Sequence, residues 1–339
     1  MIAYDRTADD ELMDALLPGG WANSLVKFGK TSGYALDLQL RGYAAQSNGS
    51  KEKWATLYVG LTKVLDLRHL PSKGFKLRAH STLALAKHRW NPSWERWQPK
   101  EQLGECWGEV DQYLERVIPS IGKAYLVEGA VQSAISGFTS DKFLVLDREA
   151  AVTYTNDLEK RRIKACLEGP LLASVSDLSK ASVSKLSKED WWKSRPSSLG
   201  GECDALALDQ DGSLLAIEIK PRSSTTSIRW SPLQVRHYAN LFSRWASDDL
   251  GVGNDEATRV IMRMVDQRHR LGLIEGGLMP YITSPITVRP VIAIGRGYSD
   301  KALQGLRLVQ RCLANSELND PPLQVMEAKL WGELEEILV

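Results

Sequence analysis

The sequence predicts a two-part α/β protein, with a β-rich N-terminal unit over residues 1–125 and a mixed central sheet flanked by helices over residues 126–339. Three observations carry this prediction. The 339-residue length exceeds what one domain commonly holds, ~100–200 residues. Apolar and polar residues alternate with period two in YALDLQLRGY, WATLYVGLTKVLDLRHL and GFKLRAH. From about Asp141 the pattern changes, and short apolar runs are interleaved with stretches of helical periodicity.

In order along the chain, turns are expected at Asn48-Gly49 and Ser72-Lys73-Gly74, and a helical stretch at Pro99–Ser136. The strands KFLVLD and AVTYT follow, then a helix from Asp157. A Ser- and Lys-rich stretch from Ser174 to Gly201 reads as a long loop. The segment GGECDALALDQDGSLLAIEIK reads as a hairpin. Helices over Pro232–Ala246, Asn254–Leu273 and Ser299–Ala314 alternate with the strands RPVIAIG and LQVMEAKLW.

Composition is that of an ordinary globular chain, with 43% hydrophobic and 25% charged residues and a net charge of +1. No apolar run approaches the ~18–20 residues a bilayer span needs, and no basic segment leads into an apolar signal core; a cytoplasmic location without a membrane partner is the expectation. Cys106, Cys166, Cys203 and Cys312 are scattered, which signals neither a zinc site nor a disulfide framework. No GxxxxGK[ST] loop is present, so any ATPase function would come from a partner. Charge is unevenly placed, since residues 51–100 carry eleven Lys/Arg against three acids. Trp90, Trp94 and Trp97 lie among Arg89 and Arg96 there, a mixture that suits base stacking and phosphate neutralisation as well as the core of a small domain.

The hairpin carries the chemistry. Gln210-Asp211-Gly212 forms a three-residue loop with glycine at the left-handed position. With Asp209 opposite Ser213, Asp204 faces Glu218 and Glu202 faces Lys220. Period-two alternation then places all four charges on one face, and Cys203, Ala205, Ile217 and Ile219 on the other. Opposed carboxylates destabilise a ladder unless a cation lies between them. Hard oxygen donors suit Mg²⁺ or Mn²⁺, whose bound water can attack a phosphodiester while Lys220 stabilises charge on the phosphate.

At Asp204 and Glu218-Ile219-Lys220 the sequence resembles the PD-(D/E)XK nuclease superfamily, with Cys203 in place of the leading proline. Downstream, Gln234 and Tyr238 at i and i+4 resemble the Gln-xxx-Tyr element of its RecB-like branch. The resemblance implies a restriction-endonuclease-like sheet, an Mg²⁺- or Mn²⁺-dependent deoxyribonuclease with Asp204 and Glu218 as metal ligands and Lys220 as catalytic lysine, and substrate contacts from Gln234 and Tyr238. It also implies an upstream glutamate: Glu159 first, with Glu168 and Glu202 as alternatives, although Asn156-x-x-Glu159 also fits a capping box. Arg222, Arg229, Arg236 and His237 lie in the same segment as candidate phosphate contacts. DNA is the expected substrate, in anti-phage defence, restriction, mobile-element processing or repair, with a separate ATPase or defence-complex protein as partner. The rival is a catalytically silent nuclease-like binding or assembly subunit.

Overall fold

Alternating strands of the N-terminal unit form the four-stranded antiparallel sheet β2 (Leu36–Gly42), β3 (Lys53–Val59), β4 (Thr62–Leu70) and β5 (Gly74–Ala79), in sequential order. The computed structural model describes residues 2–17, 36–42, 52–80, 94–121, 126–137, 142–176, 195–247, 253–274, 282–283, 285–314, 320–329 and 332–337. The predicted turn at Ser72-Lys73-Gly74 joins β4 to β5, with Gly74 at φ +80°. The turn expected at Asn48-Gly49 lies outside the described residues. Leu57, Leu65, Leu67 and Leu77 of this sheet pack on α1 (Asp10–Leu16) and α2 (Leu103–Val117) in one core. Trp94 belongs to that core: it is buried, and its ring meets Tyr113 edge-on at 5.7 Å. Of the two roles weighed for these tryptophans, Trp94 takes the packing one, while Trp97 is half-buried and Arg89 and Trp90 lie outside the described residues.

The helix expected over Pro99–Ser136 is two helices, α2 and α3 (Leu126–Gly137). The second part is built on a six-stranded mixed sheet whose order is β12-β11-β10-β9-β8-β6. Here β6 (Phe143–Ala150), β8 (Cys203–Asp209) and β9 (Leu214–Lys220) run antiparallel, and β10 (Val288–Gly295) lies parallel to β9. Beyond it β11 (Gln324–Ala328) is parallel to β10, and β12 (Leu334–Glu336) closes the edge antiparallel. A two-stranded pair joins β1 (Ile2–Ala3) to β7 (Thr153–Tyr154). Ile2 and Tyr4 thus pack in the second core, so the first residues cross the boundary placed at residue 125.

One sheet face packs Ala205, Ile217 and Ile219 against Ile135 of α3. The other packs Leu206, Leu214 and Ala216 against Tyr238, Ala239 and Phe242 of α5 (Thr225–Ala246) and Ile261 of α6 (Gly253–Arg270). Among the described residues the remaining α-helices are α4 (Asp157–Ser174) and α7 (Asp300–Ala314). Helix α5 begins seven residues before Pro232, which sits inside it rather than at its start. Proline offers no amide to the Ile228 carbonyl, and the Ser231 hydroxyl donates there instead at 2.7 Å. The long predicted loop falls largely in residues 177–194, outside the described residues. No described helix is long and apolar enough to cross a membrane.

Candidate active site

The hairpin adopts the register read from its loop. Gly212 is at φ +80°, the Asp209 amide donates to the Ser213 carbonyl at 3.0 Å, and the Ser213 amide donates to Asp209 Oδ1 at 2.8 Å. Pairing runs from Leu208 opposite Leu214 to Ala205 opposite Ile217. There it stops, one pair short of Asp204 and Glu218. The tail of β9 stays with β10, Glu218 beside Ile292 and Lys220 beside Ile294, so the two strands of the hairpin part at their charged end. In the gap, the Ile219 amide donates to Asp204 Oδ2 at 2.7 Å, so a carboxylate takes the place of a cross-strand carbonyl.

Glu218 and Lys220 are 2% and 8% exposed, and the Lys220 ammonium contacts Glu218 Oε1. Asp204 is half-buried. Two further groups register the concentrated negative charge. Burial, then Glu218 and Asp204, hold the Cys203 thiol well above its usual range. Burial, then Glu218, Cys203, Asp204 and Glu202, raise the Tyr238 hydroxyl above its own. Cys203 departs from the expected alternation: it joins the α5-side core with Leu206 and Ala216. Glu202 is exposed, and its predicted pairing with Lys220 is replaced by the Lys220–Glu218 contact.

Tyr238, 4% exposed, donates its hydroxyl to the Leu199 carbonyl at 2.9 Å. The Leu199 amide lies 3.4 Å from Glu168 Oε1, which also meets Lys164 Nζ at 3.2 Å and His237 Nε2 at 3.5 Å. Of the upstream acids, Glu168 is therefore the one joined to Tyr238, through Leu199. Glu159 occupies the first turn of α4, where its amide donates to Asn156 Oδ1 at 2.8 Å, and its carboxylate is 3.8 Å from Arg162. The Asn156 side chain thus caps the helix through the Glu159 amide, the capping reading weighed beside the catalytic one for Glu159.

Gln234 is half-buried one turn before Tyr238, and Arg222 is exposed just beyond Lys220. Arg236 is 1% exposed and donates to the Pro321 carbonyl at 2.7 Å, and burial lowers its pKa to about 10. Its expected phosphate contact gives way to an internal one. His237 is likewise enclosed; burial, then Lys164, push its pKa down to about 4, outweighing the nearby Glu168. It is neutral at pH 7 and no cationic phosphate contact.

Gln132 of α3 was not among the predicted site residues. It is 2% exposed and its Nε2 donates to the Asp204 carbonyl at 2.9 Å. The signal was available: glutamine on a core-facing helical stripe demands a partner, the same argument that singles out Gln234.

Among the described residues no group of three or more His, Cys, Asp or Glu side chains is placed to hold a metal ion. The two carboxylates at the split still fit a hard cation, because Mg²⁺ is commonly held by one or two carboxylates together with water and substrate phosphate. Comparison with family models, curated proteins and solved structures finds no match to this chain.

Proposed function

We propose that the protein is an Mg²⁺- or Mn²⁺-dependent nuclease that hydrolyses DNA phosphodiester bonds on a restriction-endonuclease-like sheet. The observation that carries this reading is the placement of Glu218 and Lys220, both nearly buried, beside Asp204 where β8 and β9 part. Withdrawing such a pair from water costs more than a hairpin needs for stability alone. Asp204 and Glu218 would hold the ion, which supplies an activated water and neutralises phosphate charge. The Lys220 ammonium is directed by Glu218 and stabilises charge on the phosphate. Tyr238 holds the Leu199 carbonyl and so anchors the chain five residues before Asp204. Half-buried Gln234 and exposed Arg222 supply contacts to the DNA backbone.

Labelled DNA and an RNA of the same sequence, each incubated with the protein in Mn²⁺ or EDTA, test the reading. Cutting of the DNA in Mn²⁺ alone supports it. Cutting that persists in EDTA, or no cutting with no Mn²⁺-dependent rise in melting temperature, overturns it in favour of a silent binding or assembly subunit.

A further inference from the structure

We infer that Gln132 is a positioning residue for Asp204, oriented by Arg148 and, through Arg148, by the N-terminal sheet; the inference rests on the nuclease reading above. A half-buried carboxylate at a strand end needs restraint to serve as a ligand, since productive sites hold their groups within ~0.5 Å. The strand ladder does not supply it. The β8–β9 pairing ends at Ala205, and on the other side Arg148 pairs with Ala205 and Ala150 with Cys203. Glu149, the residue between, passes Asp204 at φ +51°, outside the extended conformation. Non-glycine residues held at positive φ cluster at active sites.

Gln132 fills the place the ladder leaves. Its Nε2 donates to the Asp204 carbonyl at 2.9 Å, and its Oε1 accepts from Arg148 Nη2 at 2.8 Å. A flipped amide would set two donors against each other and two acceptors against each other, so Arg148 dictates which end of Gln132 meets Asp204. Arg148 is fully buried. It donates to Asp37 Oδ2 at 3.1 Å and the Gly60 carbonyl at 2.8 Å, and lies 4.6 Å from the Tyr58 ring centroid. Glu149 is tied to the same sheet, accepting from the Tyr58 hydroxyl at 2.9 Å and meeting Lys63 at 3.2 Å. The strands β2 to β4 therefore hold β6 and Gln132, and Gln132 holds the Asp204 backbone while Ile219 holds its side chain.

The test uses the full chain with Gln132→Met, which keeps the side chain's length but donates nothing, and Gln132→Glu, which keeps an acceptor for Arg148 and removes the donor. In metal-free protein, amide hydrogen exchange at Ile219 should quicken by about tenfold, the scale of one lost buried hydrogen bond, with Ala293 at the centre of β10 unchanged. In cleavage, the Mn²⁺ concentration for half-maximal rate should rise by a similar factor while KM for DNA stays near wild type. Unchanged Ile219 exchange in either folded variant overturns the positioning role, whatever the cleavage result. If exchange quickens but the wild-type protein does not cut DNA, the nuclease reading falls, and with it the catalytic meaning of Gln132.

Discussion

The Asp204 carboxylate accepts the backbone amide of Ile219 at 2.7 Å, at the point where the hairpin ladder ends. The residue therefore has two separable roles, one in closing the split and one toward a cation. Asp204→Asn keeps an acceptor oxygen, so in EDTA it should melt with the wild type. Asp204→Ala leaves the Ile219 amide without that acceptor and should cost about 1–3 kcal/mol. Both variants should lose the stabilisation that Mn²⁺ gives the wild type by binding only the folded state. Melting curves in EDTA and in Mn²⁺ check this; equal losses for Asn and Ala in EDTA would contradict it.

Glu218 and Lys220 stabilise each other's burial. Lys220→Ala removes the cation that Glu218 contacts in the interior and should destabilise by about 3–5 kcal/mol. Combining Glu218→Gln with Lys220→Met should cost less than Lys220→Ala alone, because neither charge remains to be buried. Urea titrations give the order. A double variant less stable than the single one would show that the pair is not coupled in this way.

Gly200 is at φ +90°, and a Cβ there would stand 2.6 Å from the Tyr238 hydroxyl oxygen. Gly200→Ala should therefore displace Tyr238 as well as strain the backbone. Adding Tyr238→Phe removes the colliding oxygen, so the double variant should lose less stability than the two single losses added together, a coupling of about 0.5–3 kcal/mol. Additive losses would place Tyr238 elsewhere.

His237 is held neutral in the fold, its pKa lowered from 6.5 to about 4 by burial and by Lys164. The unfolded chain takes up the proton first as pH falls. The neutral imidazole thus contributes stability that is fully present above pH 6.5 and is lost progressively as pH falls toward about 4. His237→Leu should lose less melting temperature than the wild type between pH 7 and pH 5. Parallel pH profiles would remove His237 from the account.

The hairpin was readable because period-two alternation and a glycine-bearing three-residue loop together set its register. The parting of its charged end was not readable, since it depends on β10 holding the tail of β9 through a parallel ladder made across some seventy residues of chain. Local spacing shows that Asn156-x-x-Glu159 fits a capping box. The pattern cannot show that Glu168, nine residues on, turns inward to Leu199 and His237. Arg236 and His237 looked like phosphate contacts because charge is visible in a sequence and burial is not. Gln132 and Arg148 escaped notice because their partners, Asp204 and Asp37, are brought to them only by the packing of the two sheets.

Cleavage of supercoiled plasmid in Mn²⁺ by the wild type, Asp204→Asn and Lys220→Arg at equal concentrations tests the central claim most directly. The wild type should convert the plasmid to open or linear forms. Asp204→Asn should leave it supercoiled, and Lys220→Arg, which keeps a cation without the ammonium's geometry, should be slower by roughly 10²–10³. Cutting by Asp204→Asn at the wild-type rate would contradict the assignment of this site as the place where the bond is broken.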